Sequence, residues 1–377
     1  MEKTRIGKLE AIALIITIMV NHAILDITKA IISSTGSSAI LNTIYVSIIA
    51  LIVTYIIYLL LNKFPTFDIL DISNFLGGKI LKVLVSVLFL VYFIFFSATL
   101  LKTFAYCLQT IYYQNTNTFF IVMTFLISSV FVCNLKYNAI YRSNLLIIPL
   151  IALNLLILFL GNIDNFAFNN VFPILGNGIA ETFLFGTSNL FAFQGLLHIL
   201  FLPPHLKDVT ELKKISLLAI LFSALYLIVS ICIITFMFND NVSNTLIMPL
   251  YSAVRYIEFG KFFQKLDSIF ILTWIISFVS YLSIIIDTCS TIVRKSTPIT
   301  SNKFTTIFIG FLILIVNFCL RNYAISTFLA DAVYKYSFFI IVSISLVVLF
   351  AAYILKKSKR KNTNYKTNSN SLAGGIQ

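Results

Sequence analysis

Polar side chains interrupt two apolar stretches long enough to cross a bilayer, each near its middle. The first is LEAIALIITIMVNHAILDITKAII, residues 9–32, where Asn21 and His22 stand about half-way and Asp26 and Lys29 follow. The second runs from Phe172 to Lys207 and carries Glu181, Gly186, Thr187, Ser188, Asn189, Gln194 and Gly195. Polar and glycine residues at that depth are tolerated where an interrupted helix faces a cavity or other helices. Amides and an imidazole suit the capture of a small polar ligand or an ion, and His22 adds a pH-sensitive charge. Asn21 and His22 are therefore one candidate half of a pocket. Phe191, Phe193, Gln194 and Gly195 are the facing half, with the rings as an apolar wall, Gln194 as donor and acceptor, and Gly195 allowing close approach. The plainer readings are a polar pair packed between helices and an aromatic stripe in a chain with 37 Phe. No His, Cys and carboxylate cluster falls at one depth with catalytic or metal spacing, so neither an enzyme nor a cofactor is expected.

The elements that position these residues follow from composition. Of 377 residues, 59% are hydrophobic and 11% charged, with mean hydropathy +0.97, which excludes a soluble globular protein and specifies an all-α integral membrane chain. Stretches of about 20 apolar residues lie at Glu10 to Ile32, Ser38 to Leu61, Ile80 to Thr103, Thr118 to Leu135, Ile140 to Gly161, Ile179 to Leu202, Ile215 to Phe238, Leu266 to Ser290, Phe304 to Leu320 and Ser337 to Lys356. With ten spans and the N-terminus inside, twenty of the 27 Lys and Arg face the cytosol, as the positive-inside rule asks. The net charge of +13 is then topology, and nucleic-acid binding lacks a soluble domain to carry it. The run KKSKRK either flanks a stop-transfer segment or touches anionic lipid heads. The five cysteines lie in or beside apolar spans and read as packing residues. The first apolar run lacks a small-residue cleavage site, so the first span is expected to stay in the mature protein. Residues 1–361 read as a single transmembrane domain and residues 362–377 as a disordered cytosolic tail.

Two loops resemble each other. Phe64-Pro65 leads through TFDILDISNFL to Gly77-Gly78-Lys79, and Met248-Pro249 leads through LYSAVRYIEF to Gly260-Lys261. The first follows span 2 and the second span 7, on opposite faces, as a five-plus-five inverted repeat predicts. Repeat one covers about residues 9–161 and repeat two about 176–356. Spans 1 and 6 are then partners, and both are expected to be discontinuous where they meet near the midplane. This is the LeuT-like architecture.

Several segments resemble the B subunit of spore germinant receptors, the endospore germination permease family within the amino acid, polyamine and organocation transporter superfamily. They are FPILGNGIAETFLFG (Phe172 to Gly186), FAFQGLLHILFLPPHL (Phe191 to Leu206), and Met248 to Asp287 with Pro249, Arg255, Ile257, Gly260, Phe262, Leu266, Asp267, Trp274 and Ile275 in the family's places. A weaker likeness covers Tyr137 to Pro149 around Arg142. The chain departs from the family in having Asn21-His22 where a Gly-containing break is common, and Gln194-Gly195 where an acid often follows the Phe pair. The resemblance implies a multi-pass subunit of the spore inner membrane, with both termini cytosolic and receptor A and C subunits as partners. It would bind a small germinant, most plausibly an amino acid. It also draws in Ser277 and Ser280, with Tyr281, half-way along span 8, where superfamily transporters commonly complete a site. The alternative is a proton- or sodium-coupled amino acid transporter. Asp26 and Lys29 share a helix face and are candidates for an ion pair. Arg255, Glu258, Lys261, Lys265 and Asp267 make a charged outer loop, a lid or a docking surface in one reading and a solvated face in the other. His198 and His205 read as structural, and Asp287 lies too near the cytosolic end of span 8 to serve plainly as a coupling carboxylate.

Overall fold

The computed structural model describes residues 6–135, 138–257, 267–320, 333 and 335–357. The tail, Glu258, Lys261 and Lys265 lie outside the described residues, as does the side chain of Asp26. Among the described residues eight helices are long and apolar enough to cross a membrane, and Thr118–Asn134 is shorter and apolar. The irregular segment from Ala180 to Ile199 makes the remaining crossing. All ten spans read from the sequence are thereby accounted for.

Local chemistry sets where the spans begin. Asp68 opens the helix Ile69–Ile111 (span 3) by accepting from the Asp71 N–H, Asn117 opens span 4 (Thr118–Asn134), and Ser301 opens span 9 (Asn302–Cys319). At Gly77-Gly78 span 3 bends, with Gly78 at φ 66°, a conformation that only glycine adopts freely. The piece from Ile69 to the bend is the short helix expected after span 2, and Pro249–Arg255 is its counterpart after span 7 (Leu212–Met237).

Burial ranks the spans. Over an apolar stretch of 18 residues, 83% of span 1 (Lys8–Leu25) and 72% of span 8 (Asp267–Ser296) are buried, against only 22% of span 5 (Ile140–Gly161). Span 1 packs on spans 5, 7 and 8, and span 8 packs on spans 3, 4, 5 and 9. Spans 1 and 8 therefore form the inner layer. Exposed residues such as Ile48, Ile52 and Leu59 of span 2 (Ala39–Leu61), with Leu146, Leu153 and Leu156 of span 5, present the apolar surface that lipid covers.

Span 1 is interrupted without being severed. Lys8–His22 is α-helical, Ala23–Ile27 forms a π-helical turn, and Thr28–Thr35 resumes the α-helix. A π turn widens the helix and shifts its hydrogen bonds by one residue, so the discontinuity begins directly after Asn21-His22. Span 6 is more irregular: a π turn at Ala180–Leu184, a 3₁₀ run over Phe185–Phe193 and one α turn at Leu196–Ile199. Side chains of the span 1–span 2 corner hold it there. Asn42 Nδ2 donates to the Thr182 carbonyl at 2.7 Å, Asn189 Nδ2 donates to Asn42 Oδ1 at 2.8 Å and to Ser34 Oγ at 3.0 Å, and Thr182 Oγ1 donates to Ser38 Oγ at 2.8 Å. A Cβ on Gly186 would sit 2.3 Å from Asn42 Nδ2, so only glycine lets Asn42 approach.

Asn42→Ala leaves the Thr182 carbonyl and the Asn189 amide short of partners, at about 1–3 kcal/mol for each buried group left unpaired. The melting temperature of the detergent-solubilised variant is expected to fall; an unchanged value would show that span 6 keeps its shape without this network.

Candidate ligand-binding site

Asn21 and His22 project from the last α-helical turn before the π turn of span 1. Asn21 Nδ2 donates to the Thr17 carbonyl and to Ser277 Oγ of span 8, both at 2.8 Å, while its Oδ1 has no partner. The His22 ring lies 4.3 Å from Phe96 and 5.0 Å from Tyr281, and its Nε2 has no hydrogen-bond partner. Tyr92 stacks on Phe96 at 5.5 Å and donates to Gln194 Oε1 at 3.2 Å, leaving Gln194 Nε2 unpaired. Contacts thus run without a gap from Ser277 through Asn21 and His22 to Gln194, where spans 1, 3, 6 and 8 meet. Thr17 Oγ1 and Trp274 Nε1 are also buried without partners. Each such atom costs about 1–3 kcal/mol. Several of them meet at this one junction, and each calls for an explanation.

The other residues singled out from the sequence are distributed differently. Ser280 Oγ donates to Asn144 Oδ1 of span 5 at 2.9 Å and so ties two helices. Phe191 lies under Lys335 Nζ, 5.8 Å from the ring centre, and Phe193 lines a small void together with Met19, Ala23 and Tyr226 of span 7. A Cβ on Gly195 would fall 2.5 Å from Met19 Cγ, so this glycine sets the approach of span 6 to span 1. Lys29 donates to the Leu246 carbonyl at 2.8 Å. Sequence reasoning missed Tyr92 and Phe96. Their spacing of four puts them on one face of span 3, but two aromatic residues cannot stand out among 37 Phe and 18 Tyr.

The junction is closed towards both faces. On the basic face, which carries Lys8, Lys63, Lys207 and Lys295, the Ile6 N–H donates to the His205 carbonyl at 2.7 Å and Lys207 N–H to Ile6 at 3.0 Å. There Ile69 N–H also donates to Leu200 O at 3.1 Å, and Lys295 Nζ reaches Asp68 at 2.6 Å and Asp71 at 2.8 Å. Burial, with the charges of Lys295 and Arg294, pushes the His205 imidazole down to about 4, so it is neutral at physiological pH. On the opposite face the Asn42 network does the closing. The void beside Met19, Ala23, Ala192 and Phe193 is about 10 Å³, roughly the space of one water. A hollow of about 640 Å³ lies elsewhere, on the apolar flank between spans 1, 5 and 7.

The family model for spore germination proteins matches residues 5–324, most of the chain. The chain belongs to this family. Among curated relatives of this germination protein, spore germination protein KB of Bacillus subtilis (strain 168) is 24% identical over 283 residues, 73% of this chain and 74% of the relative. Spore germination protein GerQB of Bacillus cereus is 24% identical over 264 residues, 69% and 72% of the two chains. Among solved structures, a Na⁺-coupled sialic acid symporter in a substrate-bound outward-open state superposes with a TM-score of 0.62 at 11% identity, covering 90% of this chain and 79% of that one. Mhp1, a nucleobase-cation-symport-1 family transporter closed around bromovinylhydantoin, gives 0.62 at 11% identity over 88% and 78%. These likenesses establish the transporter fold of the germination protein, a multi-pass membrane permease or receptor.

Gly195→Val drives a side chain into Met19 and forces spans 1 and 6 apart, an overpacking cost of about 1–3 kcal/mol. Thermal melts should register the loss; a variant as stable as the parent would mean that the two spans do not depend on this contact.

Proposed function

We propose that this protein is the membrane-embedded subunit of a spore germinant receptor, binding a small nutrient germinant, an amino acid, between spans 1 and 6. The carrying observation is the set of buried, unpartnered polar atoms on Asn21, His22 and Gln194. Asn21 Oδ1 would accept from an ammonium group and Gln194 Nε2 would donate to a carboxylate, with Ser277 completing the span 8 side. Phe191, Phe193, Gly195 and Ser280 act around that centre by shaping and spacing it. Because the junction is closed on both sides, a ligand enters only when spans 1 and 6 shift. Its differential affinity for the opened form then changes the population of states, which is the signal. On this reading residues 1–361 work as one transmembrane unit in the spore inner membrane, with both termini in the cytosol and receptor A and C subunits as the partners that carry the signal onward.

Gln194→Ala is expected to move the germinant dose response to at least about tenfold higher concentration, the equivalent of one lost hydrogen bond of about 1.4 kcal/mol. Gln194→Glu places a negative charge where the carboxylate is read and should abolish the response to amino acids. An unchanged dose response in both variants would remove the pocket from this junction. Radiolabelled amino acid uptake, measured in parallel, is expected to stay at background; concentrative uptake would assign the chain to coupled transport instead.

A further inference from the structure

The hollow of about 640 Å³ on the flank between spans 1, 5 and 7 is walled by hydrocarbon. Among the described residues that line it, Tyr226 alone carries a polar side-chain atom. Its floor is buried and includes Ile12, Ala13 and Ile16 of span 1 and Ile151 of span 5. Its rim, with Leu9, Leu156, Phe222 and Leu225, stands exposed on the surface that lipid covers. Along span 5 it runs from Leu145 to Phe159, about 21 Å at 1.5 Å per residue, so it is an elongated slot that opens sideways. The volume falls within the range of about 300–1,000 Å³ of cavities that enclose a whole ligand. Walls without donors or acceptors neither orient a polar nutrient nor hold water, and an empty slot forfeits dispersion contacts along its length.

The basic end of the slot carries charge. There the starts of the three spans meet: Arg142 Nε of span 5 lies 3.8 Å from Glu10 of span 1, and Lys8 of span 1 lies 3.0 Å from Glu211, which Lys214 of span 7 also approaches at 3.8 Å. Glu10 is further engaged by the Gly7 N–H at 2.7 Å. Three cations thus share two carboxylates, which leaves one positive charge in excess. The Arg142 and Lys214 side chains are 71% and 66% exposed. Arg142 shares a helix face with Pro149 and Leu156, and Lys214 with Leu225, so both cations stand on the faces that wall the slot.

We propose that the slot binds one acyl chain of a membrane lipid with an anionic headgroup, whose phosphate meets Arg142 and Lys214. The chain enters sideways from the bilayer and exchanges lipid neighbours for protein walls, so affinity rests on fit and on headgroup charge rather than on removal from water. A zwitterionic lipid matches the slot but not the excess charge at its end. Tyr226 also borders the void beside Met19, Ala23 and Phe193, so the bound chain backs the wall behind the contact of spans 1 and 6. The site does not depend on which ligand the junction takes.

The test is native mass spectrometry of the full-length chain, delipidated in detergent and titrated with phosphatidylglycerol or with phosphatidylcholine of the same acyl chains. One phosphatidylglycerol per chain is expected to bind at least about fivefold more tightly than phosphatidylcholine, the worth of one basic residue beside an anionic lipid. Ala152→Trp, on the exposed side of the slot, fills it and should weaken that binding by about tenfold or more. Leu153→Trp adds bulk at the next residue, 53% exposed and outside the slot, and should bind as the parent does. Arg142→Gln combined with Lys214→Gln should bring phosphatidylglycerol down to the affinity of phosphatidylcholine and leave the latter unchanged. Equal binding of the two lipids by the parent, Ala152→Trp and Leu153→Trp chains that bind alike, or a phosphatidylglycerol preference that survives the loss of both cations would each overturn the proposal.

Discussion

Everything in this fold depends on one requirement: backbone N–H and C=O groups at bilayer depth must find partners within the protein. Spans 2 to 5 and 7 to 10 meet it by helical bonding, and span 1 does so with a π turn at Ala23–Ile27. Span 6 is irregular; Asn42 takes up its Thr182 carbonyl, and the Asn189 and Thr182 side chains tie it to Ser34 and Ser38. The corner between spans 1 and 2 thereby holds the first half of span 6, on the same span that carries Gln194 to Tyr92.

The same requirement explains why the centre reads as receptive. Side chains that are fully satisfied elsewhere, such as Asn144 against Ser280, act as bolts between helices. Asn21, His22 and Gln194 are each engaged on one side only. A junction whose polar atoms are engaged on one side only suits the proposed role, in which a ligand favours an opened form. The fold itself does not choose between the two, since the same architecture serves either task.

Much was legible in the order of the residues because the bilayer is a severe solvent. Apolar runs of about 20 residues are the only economical way across it, so ten spans could be counted from hydropathy. The amphipathic segments between Pro and Gly after spans 2 and 7 gave the recurrence that the helices at Ile69 and Pro249 display. Asn21-His22 and Gln194-Gly195 stood out because polar groups and glycine in hydrocarbon need a cause. Tyr92 and Phe96 were illegible, since an aromatic side chain in a membrane span is unremarkable until its partner is known.

By itself the sequence determined the class of protein, the number of spans, the two interrupted helices and the repeat that pairs them, because each of these follows from local hydropathy and spacing. Only the tertiary structure decided which polar atoms are left without partners. It placed Ser277 on Asn21 and Ser280 on Asn144, although the two serines are three residues apart and equally polar. It also brought His198, Tyr141 and Asp287, from three different spans, to one cavity. Satisfaction is a property of neighbours in space, and in a helical membrane protein those neighbours come from helices whose order along the chain does not announce which of them touch.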